Sequence, residues 1–148
     1  MSVNRDAARR LAHTFLWAVT LNFAWEMAQA PFCESMGTVW QATRRCFVAS
    51  LGDGVLILLV VALGGTMCRT SRGFVELTVA TDTCAALAGL ALAVAVEQWG
   101  LASGRWAYQV HMPRVPYTDM GAVPLAQMVI LTPLSLWLAG RRGAKTTR

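Results

Sequence analysis

The sequence predicts an all-α fold, a four-helix transmembrane bundle that forms one integral membrane domain over residues 1–148, with the N and C termini cytoplasmic. Three observations carry that expectation. The chain is 55% hydrophobic and 14% charged, with a mean hydropathy of +0.46, whereas soluble domains carry about 25% charged residues. Four stretches are long and apolar enough to cross a bilayer, which takes roughly 20 residues. The basic residues are divided unevenly among the segments that join them, as membrane topology requires.

The first stretch covers about Leu11 to Pro31 and carries Glu26 as its only acid. Its opening resembles a signal peptide, with Arg5, Arg9 and Arg10 before an apolar run and "AQA" at Ala28 to Ala30. Pro31 would follow that cut, and Glu26 and Gln29 would flank it, which favours a retained helix. The second stretch covers about Ala49 to Met67, with Asp53 near its start. The third covers about Val79 to Trp99, with Asp82 at its start and Glu97 near its end; its row of Ala85, Gly89 and Ala93 suits close helix packing in lipid. The fourth covers about Met120 to Gly140 and holds no charge.

Arg5, Arg9 and Arg10 in the first tail, Arg69 and Arg72 in the second connection and Arg141, Arg142, Lys145 and Arg148 in the last tail make nine basic residues on one side. Arg44, Arg45, Arg105 and Arg114 make four on the other. Both termini therefore read as cytoplasmic, in a cell inner membrane. The basic residues form no aromatic-interleaved patch, so the net charge of +5 does not point to nucleic acid.

With that topology the unusual side chains gather at the outer end. Asn22, Trp25, Glu26 and Gln29 are spaced i, i+3, i+4 and i+7, one face of a helix. Asp53, Glu97 and Gln127 fall at a similar depth, and Trp106, Tyr108 and His111 lie in the outer loop between. An ionisable group inside a membrane costs roughly 2.5–3.5 kcal/mol on insertion scales, so such groups face the bundle interior and mark function. Glu26 or Glu97 is expected to be the protonated general acid, and the other, with Asp53, the base or the cation stabiliser. The plainer role for Asp53, and more so for Asp82, is a helix N-cap. Asn22, Gln29 and Gln127 are expected to orient the acids, and Trp25, Trp106 and Tyr108 to line a substrate channel and shield positive charge. Trp40, Trp99 and Trp106 also fit an interfacial belt.

No metal and no cofactor is expected. There are only two His, His13 and His111, at opposite ends, and no CxxC. Three carboxylates would suit Mg²⁺ or Ca²⁺, but nothing else in the pattern requires an ion. Phosphate-loop and Ser or Cys nucleophile motifs are missing too. Of four cysteines, Cys33 and Cys46 share the outer loop and are candidates for a disulfide, with two free thiols as the alternative.

Four stretches together resemble a family of small four-helix bacterial integral membrane proteins: "NFAWEMAQAPF" (Asn22 to Phe32), "RCFVASLGDGVLI" (Arg45 to Ile57), "EQWGLASGRWAYQVHMPRVP" (Glu97 to Pro116) and "GAVPLAQMVILTPLSLWLA" (Gly121 to Ala139). The resemblance covers most of the chain. It implies the fold and a set of important positions, and it implies no reaction. Where the family shows His before the Cys of the second stretch, this chain has Arg45, so a role for that His does not carry over. In ingredients only, the acids and aromatics are also similar to those of sterol-isomerase-type proteins, carotenoid hydratases and membrane terpene cyclases. That analogy implies isomerisation, hydration or cyclisation of an isoprenoid- or lipid-like substrate. The expected partners are membrane lipids, a lipophilic small molecule and, on the alternative that the chain is a non-catalytic accessory or binding subunit, another membrane protein. A proton relay ranks third, because all three acids lie toward one side.

Overall fold

The computed structural model describes residues 2–34, 36–67 and 79–143. The connection that carries Cys68, Arg69 and Arg72, and the last residues with Lys145 and Arg148, lie outside them. The described residues form four long helices: α1 (Ser2–Gln29), α2 (Val39–Met67), α3 (Val79–Ala102) and α4 (Ala122–Gly143), with a short 3-10 turn at Ala30–Phe32 after α1. No strand occurs among them, only two isolated bridges, Cys33 with Tyr108 and Arg114 with Gly121.

The second helix begins ten residues before the expected Ala49. Thr38 and Gln41 form a reciprocal cap there: the Gln41 N–H donates to Thr38 Oγ1 at 3.3 Å, and the Thr38 N–H donates to Gln41 Oε1 at 2.8 Å. This satisfies two N–H groups that the helix end would otherwise strand. Asp53 is therefore in the middle of α2, and the N-cap role the sequence suggested for it is corrected. Its neighbour Gly54 does not break the helix. It lets α1 approach, since a Cβ there would come within 2.8 Å of Val19 Cγ2 and 2.9 Å of Phe15 Cε2. Asp82 does stand in the first turn of α3.

Among the described residues, three helical spans are long and apolar enough to cross a membrane: Val39–Leu63, Asp82–Ala102 and Ala122–Arg141. At 28 residues, or about 42 Å at 1.5 Å per residue, α1 has the length. It is not among the three because His13, Asn22, Glu26 and Gln29 dilute its apolar character.

In the bundle, α1 packs on α2 and α4, and α3 packs on α4 and α2. Ala18, Ile57, Ala93, Leu125 and Met128 form one buried cluster, and Val60, Ala85 and Leu136 a second. The small row of α3 is consumed inside the bundle: a Cβ on Gly89 would meet Thr132 Oγ1 at 2.8 Å and the Met128 carbonyl at 3.0 Å. The polarity of the molecule is inverted relative to a soluble bundle. Leu16, Val48, Val55, Leu63 and Leu87 face outward, while Asn22, Ser50, Thr132 and Ser135 are fully buried. Water does not favour that distribution and hydrocarbon does.

After α3 the chain reverses. Gly104, at φ +66°, donates to the Leu101 carbonyl and Arg105 donates to the Gly100 carbonyl, the paired bonds of a helix end that needs a left-handed residue. The following segment, 103–121, crosses the end of the bundle as a cap. It is tied to the α1–α2 connection by Glu34 N–H to the Ala107 carbonyl and Gln109 N–H to the Phe32 carbonyl, each 3.0 Å.

Candidate functional site

One side-chain amide organises the polar interior at the capped end. Gln127, in the second turn of α4, points Nε2 at three acceptors: Asn22 Oδ1 at 2.7 Å, Asp53 Oδ2 at 2.9 Å and Glu26 Oε1 at 3.3 Å. Residues from α1, α2 and α4 thus meet at one nitrogen. Asn22 is completely buried and aims correctly because its own amide N–H donates to the Ala18 carbonyl at 2.7 Å. A side-chain amide has two hydrogens and here faces three acceptors. Gln29 adds a further side-chain donor to Glu26, so amide hydrogens from two residues serve the two carboxyls and the Asn22 oxygen.

Glu97 is engaged elsewhere. It is 3% exposed; the Tyr108 hydroxyl donates to Oε2 at 2.9 Å and the Gly121 backbone N–H donates to Oε1 at 2.9 Å. Both oxygens accept, so the carboxylate clamps the cap and the start of α4 onto α3. Glu97 is near enough to Glu26 for their charges to repel, but no hydrogen bond among those described joins it to Gln127. The three acids that the sequence grouped together divide into a pair, Glu26 and Asp53, and a clamp, Glu97.

Tyr108 is buried under the cap. Burial, then the Glu97 charge, raises its pKa above the ordinary tyrosine value, so it stays a neutral donor to Glu97. Trp106 lies across Gly100, where any Cβ would overlap its six-membered ring. It does not line the cavity described below, and its Nε1 is buried without a partner. Trp40 and Trp99 are exposed, and Arg105 stacks over the Trp99 ring at 4.5 Å. His111 is exposed on the cap.

A cavity of about 230 Å³ is lined by Trp25, Ala28, Gln29, Phe32 and Val123, and neither carboxyl of the pair is among its lining residues. Val123 precedes Gln127 by one turn on α4, and Gln29 follows Glu26 by one turn on α1, so the cavity sits one turn toward the cap from the pair. Gln29 is 6% exposed; its side chain hydrogen-bonds Glu26, but its Oε1 has no donor. Trp25 Nε1 is likewise buried without an acceptor. Each such group costs about 1–3 kcal/mol if left unpaired.

Cys33 and Cys46 are free thiols in the structure, not the disulfide the sequence allowed. Each finds a carbonyl on α1: Cys46 Sγ donates to Glu26 at 3.5 Å and Cys33 Sγ to Gln29 at 3.9 Å. Burial first, then the charge of Glu26, pushes the Cys33 thiol up to about 11. Among the described residues, no three His, Cys, Asp or Glu side chains are placed to hold a metal ion.

Sequence reading passed over Gly100 and Gly121, which make room for Trp106 and for the Tyr108 ring. It also passed over the hydroxyls buried inward of Gln127. Thr132 and Ser135 share one face of α4 at i and i+3, and that spacing, on the same helix as Gln127, was the available signal. No protein-family model, no curated protein and no solved structure matches this chain.

Proposed function

We propose that the chain is a small integral membrane enzyme that performs acid/base chemistry on a lipophilic, isoprenoid- or lipid-like substrate. In this reading all four helices span a cell inner membrane, the termini are cytoplasmic, and the cap and site face the extracytoplasmic side. The nine-to-four division of basic residues supports that orientation. The observation that carries the catalytic reading is the Gln127 junction, where carboxyls from α1 and α2 meet at one neutral amide with no cation among their described partners.

One carboxyl of the pair holds a proton and the other is ionised. An alkene reaching the pair takes that proton: its π electrons form the new C–H bond and leave a carbocation on the neighbouring carbon. The ionised carboxylate and the Trp25 ring face stabilise the cation. Loss of an adjacent proton to that carboxylate yields the shifted alkene; attack of water, with loss of a proton from its oxygen to the carboxylate, yields an alcohol; and attack of a second double bond closes a ring and moves the cation to a new carbon, which then loses an adjacent proton to the carboxylate. Gln127 and Asn22 hold the two acids in place. Glu97 and Tyr108 hold the cap over that end of the bundle.

All three outcomes install one solvent hydrogen. Protein in lipid vesicles, incubated in D₂O with candidate isoprenoids and extracted lipids, is expected to add one deuterium to its substrate. Glu26→Gln and Asp53→Asn should each lower that incorporation by at least about a hundredfold, within the range general acid–base catalysis contributes. Equal incorporation by both variants refutes the assignment. The second reading, an accessory or binding subunit of a larger membrane complex, draws on Trp40, Val110 and Tyr117, which stand exposed at the capped end. Recovery of one constant partner in native purification would favour it.

A further inference from the structure

We infer that the groove between α1 and α4 binds one anionic phospholipid of the leaflet facing away from the cap, with its phosphate held by Arg10 and Arg141. The inference draws on the four-span placement of the helices and not on the acid/base chemistry.

Helical register puts the two arginines on one groove. Ala28 of α1 and Val123 of α4 line the same cavity, so both face the seam where these helices meet. Gln127, one turn after Val123, meets Asn22 and Glu26, which precede Ala28, so the two helices run antiparallel. Arg10 precedes Ala28 by 18 residues, and Arg141 follows Val123 by 18. That interval is five whole turns, about 27 Å. Each arginine therefore repeats the direction of its lining residue, and the two stand level with one another at the far end of the seam. Both helices are continuous over the interval, α4 through Pro133.

The seam between is apolar. Trp17 and Leu21 share the face of α1 that carries Ala28 and are half-buried. Ile130 and Trp137 are exposed on α4, about two and four turns beyond Val123. A hydrocarbon core is about 30 Å thick, so with the cap at one interface the arginines reach headgroup level at the other.

Both arginines are exposed, and neither is in an ion pair among the described contacts. The Arg141 guanidinium packs over the Trp137 ring at 3.6 Å, which fixes its charge at the edge of the apolar wall. A ligand that fits carries an anion at one end and a long apolar body behind it. Phosphatidylglycerol and phosphatidate do: the phosphate takes charge-assisted N–H bonds from the guanidiniums, and the chains cover Ile130 and Trp137. Phosphatidylcholine brings its own cation beside the phosphate. A soluble phosphate leaves the apolar wall uncovered.

The test counts molecules bound to the delipidated full chain in neutral detergent by native mass spectrometry, with dioleoyl phosphatidylglycerol, dioleoyl phosphatidylcholine and glycerol phosphate as probes. One phosphatidylglycerol per chain is expected to bind roughly tenfold or more tightly than phosphatidylcholine, as two basic residues at an anionic headgroup allow. Arg10→Gln and Arg141→Gln should each lower that preference about fivefold, the worth of one such residue. Arg9→Gln should change it less than about twofold, because residue 9 points about 100° round the helix from residue 10. Equal binding of the two lipids by the unaltered protein overturns the inference; that comparison depends on no variant folding and leaves the placement of the helices standing. A loss in Arg9→Gln as large as in Arg10→Gln overturns the seat in favour of diffuse attraction to the basic end. Displacement of the lipid by an equal concentration of glycerol phosphate overturns the phospholipid assignment, because a soluble anion would then suffice.

Discussion

Gln127 is a neutral residue doing what a cation does in many buried acidic sites. An arginine there would hold Glu26 and Asp53 ionised. A neutral amide brings no charge to offset theirs, and the pair is held by donors from Gln127 and Gln29 alone among the described contacts. The same end of the molecule also controls a thiol. Cys33 is raised from an ordinary 9.0 to about 11, first by burial and then by the charge of Glu26. The folded state thus favours the protonated thiol: its contribution to stability is complete below about pH 9 and is lost as pH climbs toward about 11. Because the thiolate is the nucleophile, alkylation of Cys33 by iodoacetamide at pH 8 should run about a hundredfold slower in the native protein than in the denatured chain. Time-resolved peptide mapping measures both rates, and equal rates would show that burial does not protect the thiol.

At the scale of elements, the cap is the part that needs explaining. Segment 103–121 has little regular structure, yet it is held at both ends: by the Gly104 reversal after α3 and by the Glu97 clamp at the start of α4. Trp106 fits over α3 only because residue 100 has no side chain. Tyr108→Phe removes one of the two donors to the Glu97 carboxylate and keeps the ring. It should destabilise the cap by about 1–3 kcal/mol, since a buried acceptor loses its partner. Amide hydrogen exchange of the amides between 103 and 121 is then expected to speed up roughly fivefold or more while α1 and α2 are unaffected. Uniform acceleration across the helices would instead make Glu97 a support of the whole bundle. The α2 start shows how local chemistry sets an element: "TVWQ", Thr38 to Gln41, is a capping pair that a search for apolar runs passes over.

At the scale of the whole molecule, polarity is turned inside out. Leucines and valines stand exposed on the outside of the bundle, while amides, hydroxyls and a carboxyl share its interior with two apolar clusters. That arrangement is stable where the surroundings are hydrocarbon and every polar group must find a partner within the protein. The proposed orientation has a direct check. In a background lacking the native cysteines, His111→Cys on the cap should react with a membrane-impermeant maleimide in intact cells, and Ala7→Cys on α1 only after the membrane is opened. Both positions are exposed in the structure. The reverse pattern inverts the topology, and labelling of both from outside means that α1 does not span.

Length, apolar content and the spacing of polar residues on single helices determined the helical class, the membrane setting and the face shared by Asn22, Glu26 and Gln29. These are local properties, written in periods of 3.6 residues and in runs of about 20. Which acids meet was decided only by tertiary structure. Asp53 and Gln127 are 74 positions apart and Glu26 and Gln127 are 101 apart, and no local period connects such distances. The helix register and the close approach at Gly54 and Gly89 brought Glu26 and Asp53 to one amide. The same packing turned Glu97 aside to hold the cap.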